Sequence, residues 1–201
     1  MQDKFVVSEQ MLGFQKKIIH KNVMVVGDVM LDSFVQGTVE RISPQSAVPV
    51  SSVLSQTKML GGAGNVLRNL AGLGAKASII ALTGEDEAQT EIKQCVNSIG
   101  ISSEYLISDP SRPTTLKTRF VSGQHQLLRA DQEKTHPPGE KAESALIEAI
   151  NKNMANADAL ILSDYGKGVL SGNVIRAAIA AARRKKIPVL IDPKGDDFSK
   201  Y

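Results

Sequence analysis

Short apolar runs alternate with helical periods along this sequence, and that alternation limits the fold more than any other feature. Val23-Met24-Val25-Val26 ends on Gly27-Asp28, and Ala77 to Leu82 ends on Thr83-Gly84-Glu85-Asp86. Ala159 to Leu162 ends on Ser163-Asp164, and Pro188 to Ile191 ends on Asp192-Pro193. Apolar runs closed by turn residues predict buried strands. Between them stand helical patterns. Gly61-Gly62 opens one, with Val66, Leu70 and Leu73 on a single face and Gly74 as its stop. Another sets Ala88, Ile92, Cys95 and Ile99 in register before Gly100, and two more run from about 140 to 153 and about 172 to 186. Strands alternating with helices predict an α/β fold, a mainly parallel sheet with helices on both faces.

Two stretches break the alternation. Residues 33 to 60 alternate without a helical period and carry Pro44 and Pro49, with Val48 to Leu54 as an exposed strand. Residues 101 to 131 hold two further strands, Thr114 to Val121 and Gln126 to Asp131, around the turn Ser122-Gly123-Gln124-His125. Together these stretches predict a small separate sheet, inserted twice into the core and placed to cover a site. Its open edges predict a homodimer through the outer face.

The 201 residues suffice for one sizeable domain or a large piece of a bigger one. Net charge is only +3, aromatics are 4% and Trp is absent, which argues against a nucleic-acid partner. A single cysteine, Cys95, rules out an internal disulfide and fits a reducing, cytoplasmic compartment. Its apolar helix position predicts a buried thiol rather than a nucleophile. Met1 to Lys21 mixes apolar and charged residues, which predicts a short amphipathic helix and neither a signal peptide nor a membrane span. His20, His125 and His136 are scattered and form no metal-ligand spacing.

Ligands in open α/β sheets bind beyond the carboxyl ends of the strands. Here those ends gather Asp28, Asp32, Asp164, Lys167, Asp192 and Lys194 among turn glycines. Caps and tight turns use the same residue types. Their joint placement, with Lys close to Asp in two of the turns, points to a polyol and phosphate site. Gly61-Gly62-Ala63-Gly64-Asn65 lets a ligand approach the backbone at a helix start, although helix–sheet packing alone is a competing account. The run does not fit the GxGxxG spacing of a dinucleotide site.

These blocks also carry a family resemblance. Val25 to Asp32, Arg41-Ile42-Ser43-Pro44, Gly61 to Val66, Leu82-Thr83-Gly84, Leu162 to Gly168 and Ile191 to Gly195 resemble successive motifs of PfkB, or ribokinase-type, sugar kinases. The blocks Ser163-Asp164-Tyr165-Gly166-Lys167-Gly168 and Asp192-Pro193-Lys194-Gly195 are similar to those of D-glycero-β-D-manno-heptose 7-phosphate kinases. The resemblance runs from about Asn22 to Tyr201. It implies a ribokinase-like, Rossmann-like core with a β-sheet lid. It also implies ATP with Mg²⁺ as phosphate donor and transfer to O1 of heptose 7-phosphate, in ADP-heptose and lipopolysaccharide core synthesis. Asp32 then matches the sugar-binding aspartate, and Gly61, Gly62 and Asn65 the substrate-binding glycine block. Asp164 and Lys167 would face substrate and transferred phosphate, and Lys194 is expected at the phosphate chain of ATP. Lys117, Arg119 and Arg129 lie in the lid segments, about 33 to 60 and 112 to 131, where one or more would pair with the 7-phosphate. A solvated strand face is the competing account of each.

One departure stands out. The family's catalytic base is an aspartate in a Gly-Ala-Gly-Asp turn, and no such turn occurs in these 201 residues. The chain is therefore expected to be the N-terminal part of one kinase domain, incomplete at the C-terminus: a fragment, a truncated product or a split gene product. The competing functions are another PfkB kinase, for a sugar phosphate or nucleoside, and a non-catalytic remnant that binds sugar phosphate.

Overall fold

A computed structural model describes residues 9–201. Of the N-terminal stretch expected to be helical, residues 1–8 lie outside the described residues, and the remainder forms α1 (Glu9–Ile18). The elements then follow as β1 (Asn22–Gly27), β2 (Val29–Ile42), β3 (Pro49–Gly62), α2 (Ala63–Gly72), β4 (Lys76–Thr83) and α3 (Glu87–Ser98). The second half adds β5 (Leu106–Ser108), β6 (Leu116–Ser122), β7 (His125–Gln132), α4 (Glu140–Met154), β8 (Ala159–Ser163), α5 (Gly172–Lys185) and β9 (Val189–Asp192).

The predicted parallel sheet is present, in the order β5-β4-β1-β8-β9. Its period-2 alternation sorts side chains onto two buried layers. Met24, Val26, Leu160 and Leu162 meet Leu146 and Ile150 of α4 and Ile175 of α5 on one face. Val23, Val25, Ile79 and Ala81 meet Leu67 of α2 and Ile92 and Val96 of α3 on the other. Fully burying one Leu or Ile contributes roughly 1.5–3 kcal/mol. Exposed ion pairs contribute about 0–1 kcal/mol each. The two apolar layers therefore decide where the strand ends point.

The interrupting stretches pair into a second, four-stranded sheet, in the order β3-β2-β6-β7. It is mixed: β2 runs antiparallel to β3 and parallel to β6, and β6 and β7 form an antiparallel hairpin. Only Asp28 separates β1 from β2, so the small sheet grows directly out of the large one. Gly27 permits the close pairing at that root, because a Cβ there would run into the Ser163 carbonyl oxygen.

Several expectations need correction. β2 and β3 are each 14 residues long and reach into the core, beyond the boundaries 33 and 60. Asp32 therefore sits inside β2. The stretch 101 to 131 contributes β5 to the parallel sheet, a strand of three residues, too short to show a period. The buried face of α2 is Ala63, Gly64 and Leu67, while Leu73 is 38% exposed. Ala63 and Gly64 let the first turn of that helix seat closely, and the expected Val66 and Leu70 pack against the same core as Leu67. Cys95 is half-buried, and the face of α3 centres on Gln89, Ile92 and Val96.

Candidate functional site

Asp28 organises the ground beneath the site. It is 1% exposed, and its carboxylate accepts N–H bonds from Tyr165, Lys167 and Val169 at 2.8, 3.0 and 3.0 Å. Its own N–H donates to the Ser163 carbonyl, and its carbonyl accepts from the N–H of Ala63 at the start of α2. Burial pushes its carboxyl above the ordinary carboxylate value, against the lowering effect of those three N–H groups. Asp28 is thus a structural anchor with its carboxylate engaged, in contrast to the substrate-side reading of this aspartate.

Asp32 faces the glycine turn. A Cβ on Gly61 would collide with its Oδ2, so the missing side chain makes room for the carboxylate. Arg119 Nη1 donates to Asp32 Oδ1 at 2.5 Å, and the same guanidinium lies 5.2 Å from the Phe34 ring centre. The β2–β6 register sets Asp32 beside Lys117 and Phe34 beside Arg119, which brings these side chains onto one face of the small sheet. Lys117 Nζ bonds Asp131 at 2.8 Å and Glu133 at 3.0 Å. Lys167 Nζ reaches the other oxygen of Glu133 at 2.7 Å, across the gap between sheet and core. Asp32, Lys117, Arg119 and Lys167 are therefore brought together with Gly61 and Gly62.

Arg129 stands opposite Arg119 and pairs with Asp131, so it borders this cluster, with its side chain 52% exposed. Other expected residues sit apart. Asn65 is exposed in the first turn of α2. Asp164 is 5% exposed and its carboxylate is engaged, by Gly166 N–H at 2.7 Å, Lys200 Nζ at 2.6 Å and Tyr201 Oη at 2.7 Å. It does not face an open cleft in this arrangement. Lys194 is exposed after β9, and its stem passes over the turn at Gly166. The acidic turn after β4 is a cap: Asp86 accepts from Gln89 N–H at 3.0 Å and Thr114 N–H at 2.8 Å.

Sequence reasoning missed Arg112 and Glu133. Arg112 is 7% exposed and its fork ties distant segments together. Nε donates to Asp109 Oδ2 at 3.1 Å, Nη1 to the Lys167 carbonyl at 3.0 Å, and Nη2 to the His136 carbonyl at 2.7 Å. An isolated arginine in a polar stretch carries no local signal of such a role. The Lys167 turn is consequently held from two sides, by Asp28 and by Arg112.

The glycine turn, the strand-borne Asp32 and the polar ends of a parallel sheet match one family, pfkB family carbohydrate kinases, over residues 20–201. The chain belongs to the pfkB carbohydrate kinase family. It is 50% identical over 182 residues to "Bifunctional protein HldE" of Caulobacter vibrioides, which covers 90% of this chain and 37% of that protein. It is 46% identical over 191 residues to the protein of the same name from Nitrobacter hamburgensis, covering 94% of this chain and 39% of that one. This pfkB chain thus spans under two-fifths of the length of those relatives. Among solved structures, Arabidopsis thaliana ribokinase complexed with ribose and ATP matches with a TM-score of 0.59 at 16% identity, over 89% of this chain and 55% of that one. Thermotoga maritima 2-dehydro-3-deoxygluconokinase matches with a TM-score of 0.64 at 14% identity, over 88% and 51%. These two likenesses establish the ribokinase-like fold. Among the described residues, no helix is long and apolar enough to cross a membrane.

The buried acids make stability depend on pH. Burial opposes ionisation of Asp109, but hydrogen bonds from Ser111 and Arg112 outweigh it and hold the carboxyl below its ordinary value of 3.8. Asp164 is lowered likewise, with burial outweighed by Lys200, Tyr201 and the Gly166 N–H. A lowered folded value means that protons bind the unfolded chain more readily. The stability from such a group is whole above its ordinary value and is lost as pH falls through the folded value. Asp28, raised by burial, acts in the opposite sense and offsets part of the loss. Urea unfolding should show stability falling from about pH 5 downward. Asp109→Asn should be less stable at pH 7 and show a flatter acid limb; an unchanged limb would exclude Asp109 as a source.

Proposed function

We propose that this chain carries the sugar-phosphate-binding part of a cytoplasmic kinase that phosphorylates D-glycero-β-D-manno-heptose 7-phosphate at O1, using ATP and Mg²⁺. The observation that carries the reading is the placement of Asp32 against the Gly61-Gly62 turn and next to Lys117, which Glu133 joins to Lys167. A carboxylate suits vicinal hydroxyls, and two ammonium groups suit a phosphate. A nucleoside offers no phosphate to those lysines. In the reaction O1 attacks the γ-phosphorus of ATP, the bond to the β–γ bridging oxygen breaks, and the O1 proton passes to a base. Arg119 is proposed to yield Asp32 to the sugar, and Lys194 to meet the phosphate chain of ATP. Asn65 and Asp164 are proposed as further substrate contacts, Asp164 only once Lys200 and Tyr201 release it. Among the described residues no group of three His, Cys, Asp or Glu side chains is gathered around a metal position. Mg²⁺ is accordingly proposed to enter on the phosphates of ATP.

The small sheet is proposed as a lid that also pairs with a second copy of the chain. Val53 pairs with Gly37 and Leu128 with Phe120, which sets both on the face opposite Asp32, where they are 60% and 58% exposed. A second copy's matching face would cover both.

Three measurements test these readings. Calorimetry with heptose 7-phosphate should detect binding, and Asp32→Ala should weaken it by roughly 1.5–3 kcal/mol, the scale of a charged hydrogen bond. Equal affinity in the variant would remove Asp32 from the substrate site. Light scattering on the purified chain should report a dimer, with Leu128→Glu shifting it to monomer. A monomeric parent would remove the pairing. An ATP-consumption assay on the 201-residue chain should show no turnover above control, because a positioned base contributes about 10²–10⁴-fold and the Gly-Ala-Gly-Asp turn does not occur in this sequence. Robust turnover would mean that another residue supplies the base.

A further inference from the structure

Glu133 follows β7 directly, and its carboxylate joins two cations that arrive from different parts of the fold. Oε1 accepts from Lys167 Nζ at 2.7 Å, and Oε2 accepts from Lys117 Nζ at 3.0 Å. The Lys117, Glu133 and Lys167 side chains are only 13%, 22% and 18% exposed. Lys117 belongs to the small sheet and stands beside Asp32, whereas Lys167 belongs to the core turn fixed by Asp28 and Arg112. With Asp131 on Lys117 and Arg129 on Asp131, the linked set holds three cations and two carboxylates, a net charge of +1. Withdrawing such charges from water is costly, and apolar contacts would join sheet to core without that cost. A carboxylate bridging two ammonium groups in the cleft has the form of a bound anion.

We propose that Glu133 occupies the place of the substrate's phosphate between Lys117 and Lys167, and so admits only ligands that carry a phosphate dianion. The proposal rests on the sugar-phosphate reading above. A carboxylate brings two oxygens and one charge. A phosphate monoester brings three free oxygens and a charge of about −1.5 to −2 at neutral pH. It can satisfy both ammonium groups more fully than Glu133 does, which then turns out to water. A neutral hydroxyl cannot replace the two charge-assisted bonds that must break, so an unphosphorylated sugar is turned away. Burial works against the Glu133 charge, but hydrogen bonds from Lys167 and Lys117 outweigh it and hold the carboxyl below its ordinary value. Glu133 is therefore ionised at neutral pH and competes with every incoming anion. It acts as a specificity-determining residue that lowers affinity in exchange for discrimination.

The test is calorimetric titration of the 201-residue chain with inorganic phosphate, with thermal melts to establish that each variant is folded. Glu133→Gln should bind phosphate about five- to tenfold more tightly than the parent, because it removes the internal competitor and raises the cluster's net positive charge. Adding Lys167→Met should abolish the gain. Unchanged or weaker phosphate binding by Glu133→Gln overturns the proposal. Should that variant not fold, Glu133→Asp, which withdraws the carboxylate by one methylene, is read by the same two outcomes. A parallel titration with heptose 7-phosphate separates this proposal from the one it rests on. Lysine-dependent phosphate binding without heptose 7-phosphate binding keeps the proposal and removes the heptose reading. Heptose 7-phosphate binding with no gain in Glu133→Gln does the reverse.

Discussion

The buried carboxylate of Asp28 is the constraint on which the arrangement depends. It lies between the last residue of one sheet and the first of the other, with almost no surface left to be solvated by water. An ionised group in that position is tolerable only if hydrogen bonds replace its hydration. The N–H groups of Tyr165, Lys167 and Val169 do so, and they can converge only if the turn after β8 curls around the carboxylate. The backbone of Asp28 meanwhile holds Ser163 and Ala63. One residue therefore fixes the root of the small sheet, the start of α2 and the turn that carries Lys167.

Above that anchor the cleft is filled by charge that satisfies itself. Arg119 pairs with Asp32, and Lys117, Glu133, Lys167, Asp131 and Arg129 form one linked set. A polar ligand entering here exchanges partners and does not fall into an empty electrostatic well. Its affinity is a difference between similar interactions, while its selectivity is large, because each displaced charge must be matched. Arg112 keeps the exchange local. By holding the Lys167 carbonyl from below, it keeps the backbone of that turn in place whatever the lysine side chain does.

The parallel core was legible because its signals are local. Apolar runs and helical periods survive in the sequence wherever an element is long enough, as in β1, β4, α4 and α5. β5 was not legible, because three residues cannot display a period. The extra length of β2 and β3 lies at their buried inner ends, where Val29 to Leu31 follow β1 after a single residue and Gly61-Gly62 has the composition of a turn. At the site, residue types could be read but not partners. Asp32 was marked by the family resemblance and the glycine turn by its glycines at a helix start, whereas the engagement of Asp28 comes from backbone N–H groups, which no side-chain pattern records. Arg112 and Glu133 act on residues 55 and 34 positions away, and such contacts emerge only once register and topology are set.

The single-residue junction between the sheets also determines how the small sheet can move. A hinge needs a free dihedral, and at Asp28 the N–H, the carbonyl and the carboxylate are all engaged. A sheet rooted in this way is a cantilever, clamped at its base and deflected by bending along its length. The stretch around Asp32 lies close to the clamp and stays nearly still. The register shifts at Gln36/Gly37 and Val39/Arg41 soften the strand farther out, so displacement accumulates toward the tip. The end of the cleft at Asp32 is in effect machined to a fixed gauge, and only its distal rim flexes.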